Sequence, residues 1–163
     1  MKFGPVIDAV LVQDSREQLG YQDLFESPCL IQGLPTGDYS ILGAEHLIAI
    51  ERKSLADFLG SITTGRERFE KELARGRALS CFHLVIEGRL DEIAAGNYGH
   101  AVSKVNPTSV FETLTAFSIR YNLPIWFVGN RQIGARTTES LLKKWLREHA
   151  KVFEGIGKAQ RRA

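Results

Sequence analysis

The sequence predicts an α/β domain, a mixed central sheet of about five or six strands flanked by helices. Two observations carry this. The apolar pattern changes period several times, from short continuous runs to 3–4 spacing and back. The chain has 163 residues, 44 % apolar and 25 % charged, which suits one well-buried core and is short for two.

The elements follow in order. Asp8 to Asp14 is a short apolar run ending in acid and reads as a first strand. Tyr21 to Glu26 suits a short helix, stopped by Ser27-Pro28. Cys29 to Gln32 is a second strand, and the Pro35-containing stretch from Gly33 to Gly37 is a turn. Asp38 to Leu42 and Glu45 to Arg52 form an antiparallel hairpin around Gly43, whose mostly apolar second arm suits a strand covered on both faces. Ser54 caps a helix with Leu55, Phe58, Leu59 and Ile62 on one face, and Asp57 sits where a capping box places an acid. Thr63-Thr64-Gly65 breaks the run. A second helix spans about Arg66 to Leu79, with Phe69, Leu73 and Ala74 inward.

Phe82 to Glu87 is a further strand, and a small helix from Leu90 to Ala95 ends at Gly96. Residues 97–106 read as an exposed polar connection containing Tyr98, His100 and Lys104. Asn106 is a good N-cap with Pro107 at the first helical position, and the helix to about Tyr121 carries Val110, Phe111, Leu114, Phe117 and Tyr121 at 3–4 spacing. Pro124 to Val128 is a last strand. A long helix from about Arg136 to Ala150 turns Leu141, Leu142, Trp145 and Leu146 inward and Lys143, Lys144 and Arg147 outward. Trp126 and Trp145 both fall on apolar faces and are expected in the core. After Gly155 the residues are small, polar and basic, and a frayed tail over 154–163 is expected. Strands alternating with helices in the second half favour parallel pairing there.

Charge is distributed unevenly. Residues 131–163 carry +6 and the first 130 carry −4, so the C-terminal end suits a polyanionic partner or forms a solvated helix face. Cys29 and Cys81 have no metal-ligand spacing and read as buried reduced thiols. His46, His83 and His149 show no ligand spacing either. No stretch approaches the ~20 apolar residues of a membrane span, and no signal peptide is evident. A reducing cytoplasmic setting is expected, nucleoid-associated or, in a eukaryote, nuclear.

The informative segment is Gly37-Asp38-Tyr39 followed by Glu51-Arg52-Lys53. Asp38 starts one hairpin arm and Glu51 ends the other, so pairing can bring them together. Glu51 and Lys53 are two apart on a strand and leave the same face, with Arg52 on the other. Two converging carboxylates can hold Mg²⁺ together with its waters and substrate phosphate oxygens. The lysine can orient an attacking water or stabilise charge in the transition state. Asp14, closing the first strand, is placed to add a third carboxylate. An acid followed by E-x-K also occurs by chance, but three charges closing an apolar strand cost desolvation unless paired or functional.

The string ERKSLADFLGSITTGR, preceded by GDYSI and DSRE, resembles the nuclease domain of the XPF family of structure-specific endonucleases. The shared motifs are Asp14-Ser15-Arg16-Glu17, Gly37-Asp38-Tyr39, Glu51-Arg52-Lys53-Ser54 with Asp57, and Ser61-Ile62-Thr63-Thr64-Gly65-Arg66. The resemblance implies a restriction-endonuclease-like core over residues 1–153, a divalent metal (Mg²⁺, with Mn²⁺ substituting), and cleavage of DNA near branches or single-strand/double-strand junctions. By position, Asp38, Glu51 and Asp14 would be metal ligands, joined by the backbone carbonyl of Arg52, and Lys53 the catalytic lysine. Arg16, Arg52 and Arg66 would contact phosphate or brace the site, with Glu17, Ser54 and Asp57 standing behind it. Beyond Arg66 the likeness is one of pattern only. The helix-hairpin-helix module that family members usually carry is not found in these residues. DNA binding would then draw on the core, the basic C-terminal helix, a second subunit of a homodimer or a partner protein. The alternatives are a non-catalytic DNA-binding partner subunit of the same fold and a nuclease acting on RNA.

Overall fold

A computed structural model describes residues 9–99 and 105–160, with side chains as far as 152. His100 and Lys104 lie outside the described residues. Six strands form one mixed sheet in the order β2-β1-β3-β4-β5-β6. They are β1 (Leu11–Asp14), β2 (Cys29–Gln32), β3 (Tyr39–Ile41), β4 (Ile48–Ser54), β5 (Cys81–Glu87) and β6 (Ile125–Phe127). The β1–β3 and β3–β4 pairs are antiparallel, whereas β1–β2, β4–β5 and β5–β6 are parallel. The expected antiparallel hairpin and parallel second half are both present.

Five α-helices flank the sheet: α1 (Leu55–Ile62), α2 (Arg66–Arg77), α3 (Leu90–Ala95), α4 (Pro107–Tyr121) and α5 (Arg131–Gln160). The first four cover one face. Phe58 and Leu59 of α1, Phe69 and Leu73 of α2, and Val110 and Phe117 of α4 pack on Ala49, Leu84 and Ile86 of the central strands. Each such fully buried large apolar side chain contributes roughly 1.5–3 kcal/mol. On the other face Ala135 and Leu142 of α5 pack against Leu11, Tyr39, Ile48, Ile50 and Val85. Strand β4 is central and buried on both sides from Ile48 to Arg52, which is why its sequence does not alternate.

Local chemistry accounts for the boundaries. Ser54 caps α1, its hydroxyl accepting from the Asp57 N–H at 3.1 Å. Asn106 caps α4 by accepting from the Thr108 N–H at 2.9 Å, with Pro107 at the first position. Gly96, at φ 68°, ends α3 in the left-handed conformation.

Several expectations are corrected. The helix expected over Tyr21 to Glu26 is a single 3-10 turn, Gln22–Leu24. Ala74 is exposed, and the third buried position of α2 is Gly76, where a Cβ would fall 2.2 Å from the Phe82 ring. Trp126 is 41 % exposed at the edge of the sheet and donates from its indole N–H to His83 Nδ1 at 2.9 Å. Its strand, β6, is the last in the sheet. Helix α5 starts five residues earlier than expected because Asn130 caps it, accepting from the Ile133 N–H at 2.9 Å. It continues through Gln160.

Candidate active site

The end of β1, the start of β3 and the end of β4 meet at one end of these three neighbouring strands, and backbone hydrogen bonds fasten the acidic positions together. The Asp14 N–H donates to the Asp38 carbonyl at 2.8 Å, and the Asp38 N–H donates to the Ile50 carbonyl at 2.8 Å. With Tyr39 paired to Ile50, Asp38 comes beside Glu51. The turn before Asp38 needs glycine. Gly37 sits at φ 73°, and a Cβ there would fall 2.9 Å from Ala49 Cβ. Glu72 of α2 accepts from the Gly37 N–H at 3.0 Å, tying this turn to the helix layer.

These strand ends floor a cleft of about 480 Å³, lined by Asp14, Arg16, Asp38, Glu51, Asp57 and Glu72 among others. It adjoins a second depression that shares Asp38 and Glu51 and adds Lys53 and Arg68. Both central carboxylates are disturbed. Burial and the nearby Glu51 charge push the Asp38 carboxyl well above its ordinary range, although the Arg52 N–H donates to Oδ2 at 2.7 Å. Burial likewise raises Glu51, against the opposing pull of Lys53, whose Nζ lies 3.2 Å from Oε1. Two buried acids that resist ionising side by side form a place where a cation is favoured. Lys53 also lies over the Phe69 ring, 4.6 Å from its centroid.

Asp14 reaches the same cleft in a different state. Its side chain is 4 % exposed and both oxygens are taken by Arg16, whose Nε donates at 2.9 Å and whose Nη2 donates at 2.5 Å to Oδ2. Burial pushes the Asp14 carboxyl up, but the Arg16 hydrogen bonds and charge outweigh it, and it ends below its ordinary value. Among the described residues no three His, Cys, Asp or Glu side chains converge as metal ligands. The carboxylates of Asp38 and Glu51 are oxygen donors of the kind a hard divalent cation takes.

Arg52 points to the opposite face, as its strand parity requires. Its guanidinium is 7 % exposed, donates to Glu87 at 3.0 and 2.5 Å, and lies 3.7 Å from Glu17. The Tyr21 hydroxyl donates to the same Glu87 at 2.6 Å, and the Tyr21 ring stacks on Tyr39 with centroids 5.0 Å apart. Arg52 and Glu17 thus form a brace under the site. Ser54 and Asp57 cap α1, with Asp57 also lining the cleft. Arg66 is not brought to the cleft: it pairs with Glu70 at 2.9 Å and lies over the Phe117 ring. Arg68, Glu72, Glu87 and Tyr21 were missed by sequence reasoning. For Arg68 and Glu72 the 3–4 spacing on α2 was a usable signal; nothing in the sequence announces the pairing of Tyr21 with Glu87.

The model of the ERCC4 domain family matches residues 13–141, a span that includes every one of these positions. The chain belongs to this family of XPF-type nuclease domains. Among solved structures, this ERCC4 domain resembles "XPF from Aeropyrum pernix" at a TM-score of 0.68 and 21 % identity, covering 89 % of this chain and 69 % of that one. It resembles "XPF from Aeropyrum pernix, complex with DNA" at a TM-score of 0.68 and 19 % identity, covering 86 % of this chain and 66 % of that one. The chain therefore spans about two thirds of the length of those solved chains. Among curated proteins, comparison by sequence gave no significant match. The likeness places the ERCC4 domain in the restriction-endonuclease-like fold. Among the described residues no helix is long and apolar enough to cross a membrane.

Proposed function

We propose that the protein is a divalent-metal-dependent DNA endonuclease that hydrolyses phosphodiester bonds at branched or single-strand/double-strand junction DNA. The observation that carries the reading is the buried Asp38–Glu51 pair with Lys53 3.2 Å from Glu51, inside an open polar cleft. Membership of the ERCC4 domain family supports a nuclease, and a structural relative in complex with DNA supports DNA as the ligand.

In this reading Asp38 and Glu51, joined by the backbone carbonyl of Arg52, would hold Mg²⁺, for which Mn²⁺ would substitute. The ion would supply Lewis-acid charge at the scissile phosphate and acidify a water. Lys53 orients the attacking water by its ammonium protons and opposes negative charge as it grows on the phosphate. Glu51 keeps that ammonium in place. Arg16, 73 % exposed at the cleft mouth, positions the phosphate backbone, and Arg68 does so at the other end. Arg52 holds the strand ends rigid from behind, which matters because small misplacements of reacting groups cost large factors in rate. The active unit is residues 1–153, working as a homodimer or with a partner protein that adds DNA affinity. The intact carboxylate pair and lysine favour this reading over an inactive partner subunit.

The test is cleavage of labelled flap, fork, splayed-arm, duplex and single-stranded DNAs and their RNA counterparts, with Mg²⁺, Mn²⁺ or EDTA. Junction DNA cut by wild type, uncut by Asp38→Ala and uncut in EDTA, is the expected pattern. Binding without cutting of any substrate in either metal would overturn the reading.

A further inference from the structure

The sheet face opposite Glu51 and Lys53 carries its own depression. A groove of about 850 Å³ runs between α5 and the segment around the 3-10 turn, where Leu24 and Glu26 form one wall. The α5 wall presents Arg136, Ser140, Lys143 and Arg147, spaced three or four apart and so aligned in one stripe along the helix. From Arg136 to Arg147 the stripe is about 17 Å long, which matches roughly five nucleotide steps along B-form DNA.

The groove's acids are Glu26 and Glu139, set against the four basic side chains Arg136, Lys143, Lys144 and Arg147. Glu139 is committed to the fold: it accepts from the Glu26 N–H at 3.0 Å and the Ser27 N–H at 2.9 Å, and pairs with Lys143 at 3.6 Å. It pins the turn to the helix. Lys144, also in the wall, pairs with Glu148 at 3.2 Å. Arg136 and Arg147 are exposed, and among the described residues they make no ion pair of their own. No acid stands four residues from either: the neighbours are Gln132 and Ser140 for Arg136, and Lys143 and Lys151 for Arg147.

One short segment separates this groove from the catalytic cleft. Arg16 to Leu19 line the cleft, Leu24 and Glu26 line the groove, and Arg131 at the start of α5 donates to the carbonyls of Leu19 and Gly20 between them. The segment from Arg16 to Glu26 thus joins the linings of the two depressions.

We infer that the groove along α5 is a second nucleic-acid contact, in which Arg136, Lys143 and Arg147 bind backbone phosphates of the duplex that flanks the scissile position. The identity of the ligand rests on the DNA endonuclease reading. The contact is to phosphate, so it reads no sequence and is strongly salt-dependent.

The experiment is equilibrium binding of fluorescent junction and duplex DNA to the full chain in EDTA across a salt series. Wild type is compared with Arg136→Gln/Arg147→Gln and with the charge-reversed Arg136→Glu/Arg147→Glu. Both positions are exposed, and unchanged thermal unfolding checks that the variants fold. The glutamine pair is expected to lower the slope of log affinity against log salt by about 2 and to weaken low-salt binding about tenfold, with the charge-reversed pair weaker still. Unchanged affinity and slope would overturn the inference, as would a change in sedimentation without a change in slope, which would make the groove a protein interface. Failure of the endonuclease reading shows separately, as DNA that wild type binds and does not cut.

Discussion

Arg16 donates to both carboxylate oxygens of Asp14, so the third acid of the cleft is engaged by an arginine that is itself largely exposed. The pair also links the end of β1 to the turn before β3, because the same guanidinium donates to the Leu34 carbonyl at 2.7 Å.

Arg16→Gln should therefore leave a buried carboxylate with little besides its backbone hydrogen bond. The expected loss is about 1–2 kcal/mol, modest because the arginine faces water. The Asp14 carboxyl lies below its unfolded value, so the pair stabilises fully above that value and its contribution is lost as pH falls through the folded one. Urea unfolding at neutral and at strongly acid pH checks this: the wild type and variant should converge in acid, and an equal gap at both would contradict the account.

Asp38→Asn should abolish cleavage and stabilise the fold. Burial and Glu51 raise the Asp38 carboxyl, so its ionised form costs stability at neutral pH. For a group raised on folding, stability is retained below the unfolded value and falls as pH rises through the folded one. Asparagine keeps an acceptor for the Arg52 N–H without the charge. In metal-free buffer at neutral pH the variant should melt a few degrees higher, roughly 1–2 kcal/mol. Mg²⁺ should raise the melting temperature of wild type and not of the variant. A variant that melts lower, or that Mg²⁺ still stabilises, would remove Asp38 from the metal set.

Lys53→Ala should lower the cleavage rate by at least about 10²-fold, the scale of losing one charge-stabilising group. DNA binding should stay near wild type, because the ammonium is held inward against Glu51 and Phe69. Parallel loss of binding and rate in a filter-binding and cleavage comparison would recast Lys53 as a phosphate anchor.

Arg52→Met should be the most disruptive of these changes, at about 3–5 kcal/mol, since it leaves Glu17 and Glu87 buried around Tyr21 without their cation. Chemical denaturation measures it. A loss under about 1 kcal/mol would show that the two glutamates relax to water.

The sequence by itself determined the sheet of alternating strands, the capped helices at Ser54 and Asn106, and the three residues Asp38, Glu51 and Lys53. These are legible because strand parity, cap chemistry and motif spacing are local. Parity alone also sent Arg52 to the opposite face. What that arginine does there was decided by Glu87 and Tyr21, far away in sequence and brought close only by β5 and the 3-10 turn. Packing likewise turned Arg66 onto Phe117 and left Arg68 at the cleft, a choice between neighbours on one helix that periodicity could not make without knowing where α4 lies. It also exposed Trp126, whose apolar strand reads as core until the sheet is seen to end there. Local pattern names the groups that can do chemistry; long-range contacts, which cost chain entropy and leave no spacing in the sequence, decide which carboxylates are free and which are already held.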